Sequence, residues 1–136
     1  MSPTVAFLLL LCLLCFGGSV RAGDGSEEIA KGFIGGMVFA IATQNPDRIG
    51  KLFAEDFVFT GCKGEYNKKQ VVALLGKVPK GSDFDIAFKD SHYLNQNADV
   101  LYTVVATGFG PVIEAEFTLQ QNNKRYILIS GKKSNC

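Results

Sequence analysis

Apolar positions follow three regimes along this chain. They run unbroken from Val5 to Phe16, recur mostly at three- and four-residue intervals between Ile29 and Leu75, and alternate with polar residues from Phe84 onward. The middle regime predicts helices. Ile29, Phe33, Ile34, Met37, Val38 and Ile41 mark a first one, ending near Thr43 and opened by Asp24-Gly25-Ser26-Glu27 with capping-box spacing. Gly32, Gly35 and Gly36 each cost about 1 kcal/mol of helix propensity relative to Ala, so another element is expected to approach closely there. Asn45-Pro46-Asp47 supplies an N-cap, a first-turn proline and a first-turn acid, which predicts a second helix from Pro46 to about Ala54. A third, short helix follows Asn67, with Gln70 three residues on and Val71, Leu74 and Leu75 as its stripe.

Strands come next. Asp56 to Gly61 is β-rich, closes at a glycine and leads into a Lys63-Gly64 turn. After Pro79 the period is two: Phe84, Ile86 and Phe88 alternate with Asp85, Ala87 and Lys89, and Ile113, Ala115, Phe117 and Leu119 alternate with Glu114, Glu116 and Thr118. Four strands are expected near 84–94, 98–109, 112–121 and 124–131. Turns at Asn97 to Asp99, Gly110-Pro111 and Asn122-Asn123 join them into an antiparallel meander. The last strand is apolar on both faces, with Ile127 and Ile129 on one and Tyr126 and Leu128 on the other. Two covers are needed: helices meet one face, and the open sheet face either packs on a second copy of the sheet, making a homodimer, or belongs to a central strand that leaves some apolar surface exposed.

The first regime reads as an export signal. The apolar run is about half the roughly 20 residues that span a bilayer, and Gly17, small residues and Val20-Arg21-Ala22 give the small-x-small pattern of a cleavage site. The expected organisation is a signal peptide over 1–22 and one domain over 23–136, secreted to the extracellular space without a stable membrane anchor. Cleavage discards Cys12 and Cys15 and leaves Cys62 and Cys136, an even pair in an oxidising compartment, which invites a disulfide.

Charge excludes one large class. Without Arg21 the basic side chains number 13, equal to the 13 acidic ones, so no surplus is available for nucleic acid. The doublets Lys68-Lys69 and Lys132-Lys133 read as solvated faces. His92 is the sole histidine, which excludes a metal site built on several imidazoles, and no metal or cofactor is implied. No nucleophile-elbow, zincin or phosphate-loop pattern occurs.

Two helices, a strand, a short helix and four long antiparallel strands, with Asn45-Pro46-Asp47 and Leu52-Phe53-Ala54-Glu55-Asp56-Phe57 at the helix-to-strand junction, resemble the nuclear transport factor 2-like superfamily. The resemblance covers the chain from residue 23 on and implies an α+β cone: a curved antiparallel sheet wrapped around a long N-terminal helix, with a conical pocket. It also makes the first and last strands neighbours, so that a Cys62–Cys136 bridge ties the chain's end to the sheet. Fold does not choose function in this superfamily. In its isomerase branch the catalytic aspartate falls on Gly61, the oxyanion tyrosine near Met37 and the second aspartate near Ala115. Those residues cannot run that enolisation.

The function read from the sequence is therefore a secreted, non-catalytic domain that binds a small apolar ligand or a protein partner. Phe33, Met37, Phe53, Phe57, Phe59 and Phe117 are the expected pocket wall. The alternative is an isomerase- or dehydratase-like enzyme using Asp85, His92 or Glu114 with a tyrosine. A third reading treats Lys31 to Ala42 as membrane-active.

Overall fold

The computed structural model describes residues 24–94, 99–108 and 110–136. The segment 1–22, expected to be a signal peptide, and most of the turn expected at 97–99 lie outside them. Helix α1 spans Ser26–Ala42 and buries Ile34, Met37 and Ile41 of the expected stripe together with Ala30 and Ala40, while Ile29, Phe33 and Val38 pack half-buried at its edges. Its start differs from the expected capping box. Gly25 occupies the N-cap in a left-handed conformation (φ 94°) and contributes no side-chain cap. Asp24 serves instead: one carboxylate oxygen accepts from the Ser26 N–H at 2.9 Å and from the Ser26 hydroxyl, and the other accepts from the Tyr93 N–H at 3.0 Å. The Ser26 and Ser91 hydroxyls meet at 2.8 Å. One carboxylate thus joins the helix start to a strand 69 residues away.

Helix α2 is only Pro46–Gly50, capped by the Asn45 side chain, which accepts from the Asp47 N–H. The helix expected through Ala54 stops early because strand β1, Phe53–Thr60, needs Phe53 and Phe57 in the core and pairs with the last strand. The Leu128 N–H already bonds the Leu52 carbonyl at 2.9 Å. Tertiary pairing outweighs local helix preference here. The Gly61–Gly64 turn then returns the chain into β2, Glu65–Asn67, a strand the hydrophobic pattern did not signal. Helix α3, Lys68–Leu75, carries the predicted capping box in full between Asn67 and Gln70.

Strands β3 (Asp85–Tyr93), β4 (Val100–Thr107), β5 (Ile113–Asn122) and β6 (Arg125–Lys133) form the expected meander. The β5–β6 turn sits one residue later than expected, on Asn123 and Lys124. Both take positive φ, the twist a two-residue hairpin needs. The sheet order is β2-β1-β6-β5-β4-β3. It is mixed rather than wholly antiparallel, because β1 runs parallel to β6. That parallel pair requires a long crossover, and everything from β2 to β5 supplies it. Register shifts at Phe88/Asp90, Thr118/Leu119 and Phe53/Val58 bend the strands, and the sheet curves around α1.

The Cys62–Cys136 disulfide joins the chain just past β1 to the chain just past β6, with Cα atoms 5.5 Å apart. It extends the parallel ladder beyond Thr60 and Lys132. Among the described residues no neighbour meets the three α1 glycines: a Cβ at Gly32, Gly35 or Gly36 would meet nothing within 4 Å. They share the outward face of α1 with Phe39, which is 66% exposed.

Candidate functional site

Curvature leaves a cavity of about 250 Å³ between the concave sheet, α1 and α3. Met37 enters from α1, Phe53 and Phe59 from β1, and Tyr66 from β2. Gln70, Val71, Leu74 and Leu75 come from α3, Ile86 from β3, Val104 and Ala106 from β4, and Ile113, Ala115 and Phe117 from β5. Among these described residues only Tyr66 and Gln70 carry polar side-chain groups. Leu74 and Tyr66 form the rim, 60% and 42% exposed.

One glycine makes the aromatic wall possible. Gly131 on β6 faces Phe117 in the register, and a Cβ there would stand 2.7 Å from the Phe117 ring and 2.8 Å from the Phe59 ring. Without a side chain between them, the two rings lie with centroids 5.9 Å apart. Tyr102 backs this wall, its ring 5.7 Å from that of Phe117. Its hydroxyl donates to the Met37 thioether at 3.3 Å. Burial pushes the Tyr102 hydroxyl well above the usual phenol range, so it stays protonated and neutral.

Of the residues expected to form the wall, Met37, Phe53, Phe59 and Phe117 line the cavity and Phe33 and Phe57 do not. Phe57 is fully buried in the core, with its ring edge-on to Phe53 at 4.7 Å. Phe33 lies one helical turn before Met37 and packs half-buried against the core. The walls missing from the sequence reading are those of β2 and α3. Val71, Leu74 and Leu75 were visible as a stripe, but a stripe does not say whether it meets packed core or open space.

The alternative catalytic groups lie elsewhere. Asp85 and His92 are exposed on β3, and Glu114 pairs with Lys89. The positions that carry donors in the isomerase branch are near the cavity: Met37 and Ala115 line it, and Gly61 abuts the Tyr66 ring. A thioether and a methyl group donate no hydrogen bond, and a glycine offers no base. Among the described residues no group of three or more potential metal ligands comes together, and no helix is long and apolar enough to cross a membrane.

Comparison with known proteins agrees with this architecture. A family model described as an NTF2-like domain matches residues 27–136. The chain belongs to that family. A comparison with curated proteins finds no match. Among solved structures, an NTF-2 like protein of unknown function from Silicibacter pomeroyi superposes with a TM-score of 0.67 at 14% identity, covering 82% of this chain and 98% of its own. An NTF2-like protein from Cytophaga hutchinsonii gives 0.60 at 11% identity, with 82% and 98% covered. A de novo designed protein with a curved β-sheet gives 0.57 at 12% identity, with 80% and 99% covered. At such identities the likeness is one of fold.

Proposed function

We propose that this NTF2-like domain is exported and serves as a non-catalytic binding module that holds one small apolar molecule in its cavity. The observation that carries the reading is the contrast between the cavity's volume and its chemistry. About 250 Å³ of space is enclosed by aliphatic and aromatic side chains, just below the usual range of ligand pockets, and it opens past Leu74 and Tyr66. Apolar side chains left facing such a space forgo packing. At about 24 cal/mol per Å³, a sealed void of this size would cost on the order of 6 kcal/mol, comparable to the whole stability of a small domain. An occupant restores those contacts. The apolar run at 5–16 and the Cys62–Cys136 bridge support passage through an oxidising secretory route.

Methyl NMR tests the reading directly, because Met1 and Met37 are the only methionines and Met37 lines the cavity. Protein collected from the medium of secreting cells and titrated with 1-octanol is expected to show a saturable shift of the Met37 methyl resonance. Ala106→Leu, which takes up cavity space, should weaken it. A Met37 signal that never saturates, or that responds identically in Ala106→Leu, overturns the binding reading. Recovery of the protein only inside cells overturns export.

A further inference from the structure

The doublet Lys132-Lys133 reads in sequence as one solvated patch, yet strand alternation divides it. In the β5–β6 register Lys132 pairs with Glu116 and Lys133 with Ala115. Directly paired residues on antiparallel strands point to the same face. Ala115 lines the cavity, so Lys133 stands on the concave face beside it, two residues beyond Gly131 and the Phe59–Phe117 wall. Lys132 stands on the convex face. The two differ in surroundings as the register requires: Lys132 is exposed, while Lys133 is half-buried.

Lys133 has no carboxylate within ion-pair distance among the described residues. The two acids that flank Ala115 in register, Glu114 and Glu116, both belong to the convex face, where Glu114 is held by Lys89. The segment that builds β2, α3 and its flanks adds to the positive field. Residues 61–80 carry five lysines against Glu65 alone, one of them, Lys68, paired with Glu55, while the rest of the chain has 9 basic and 12 acidic side chains. An apolar chamber with a half-buried lysine outside any ion pair on the same sheet face, paired in register with the lining residue Ala115, is complementary to a molecule with an apolar body and one negative end.

We infer that the cavity's ligand is an anionic amphiphile, a monocarboxylate of medium chain length, with its tail between Phe59, Phe117 and α3 and its carboxylate at Lys133. The inference rests on the binding reading above and adds to it the ligand's charge and size. Size follows from volume. Liquid water occupies about 30 Å³ per molecule and a methylene group nearly the same, so 250 Å³ accommodates roughly eight carbons. The carboxylate needs no enclosure. A charged head left at the rim keeps part of its hydration while its tail is desolvated, which avoids the cost of burying an ion.

The test compares head groups on one tail. Octanoate, 1-octanol and octylammonium are titrated into the secreted protein at pH 7 and low salt, with the Met37 methyl resonance as readout. Octanoate is expected to bind about tenfold more tightly than octanol, the gain of one charge-assisted hydrogen bond, and octylammonium most weakly. Lys133→Gln should bring octanoate down to the level of octanol and leave octanol unchanged. Lys133→Arg should retain the preference, and Lys132→Gln, on the other face, should leave it intact. Equal binding of octanol and octanoate to the unaltered protein overturns the anionic inference and leaves the binding reading standing. A preference that survives in Lys133→Gln overturns the assignment to Lys133. If none of the three moves Met37, the binding reading itself fails. The head-group comparison on the unaltered protein decides the charge question even if a variant does not fold.

Discussion

The two ends of the cone are finished in opposite ways. Where β3 ends and β4 begins, the sheet closes on α1 through hydrogen bonds from Ser26 and Tyr93 to Asp24, over a floor of Val100, Leu119 and Leu128 with no exposed surface. Where β3 begins and β4 ends, apolar side chains of comparable size face a cavity, and Leu74 and Tyr66 reach solvent. Both ends belong to one sheet and one helix. The difference lies in where large side chains meet across the interior and where Ala106, Ala115 and Gly131 withhold volume. Side chains fill the closed end, and the open end leaves space between them.

Separating the two contributions begins with the bridge at the open end. Replacing Cys62 and Cys136 together with serine should lower unfolding free energy by roughly 4 kcal/mol, the loop-closure entropy of the 74-residue separation, as read by urea denaturation. A loss well under half of that would mean that the parallel β1–β6 pair holds the end without help. Leu128→Ala at the closed end should come next, at about 2–5 kcal/mol, because a fully buried leucine leaves a cavity that its neighbours cannot fill.

The Asp24 clamp should show a smaller effect with a definite pH signature. Its hydrogen bonds with Ser26 and Tyr93 lower its pKa from 3.8 to about 2 in the folded chain. A lowered folded value means that the contribution is complete above the unfolded pKa and fades as pH falls from about 4 toward 2. Asp24→Asn should therefore reduce the melting temperature at pH 6 and make little difference near pH 2. An equal penalty at both values would assign the effect to side-chain shape. The smallest change is expected at the rim, where Leu74→Ala should alter stability by no more than about 0.5 kcal/mol while weakening octanol binding. A penalty matching that of Leu128→Ala would erase the distinction between the two ends.

Most of the framework was legible from local pattern. Periods of 3.6 and 2 located α1, α3 and the four meander strands, and the Asn67–Gln70 box fixed the start of α3. What local pattern could not supply was partnership. Nothing near Leu52 reveals that its carbonyl bonds Leu128, so α2 was drawn too long, and nothing in Glu65–Asn67 reveals that β1 lies alongside. The direction of β1 against β6 is likewise a property of two segments some 70 residues apart. The α1 glycines misled for the same reason, since a sequence shows the missing side chains and not which way they face. The cavity was half legible. Four of the six residues named from aromatic content and helix position line it, while the walls from β2 and α3, and the division of Lys132 from Lys133, depend on tertiary placement and strand register.

Asp24 also gives the proposed export a physical consequence. A peptidase that cuts after Ala22 leaves Asp24 as the second residue, with a new ammonium one residue before it. A cut two bonds further along removes that carboxylate, and with it the acceptor for the Tyr93 N–H. If the chain is exported as proposed, the fidelity of that one cut decides whether its first helix is fastened to the sheet or frays from it.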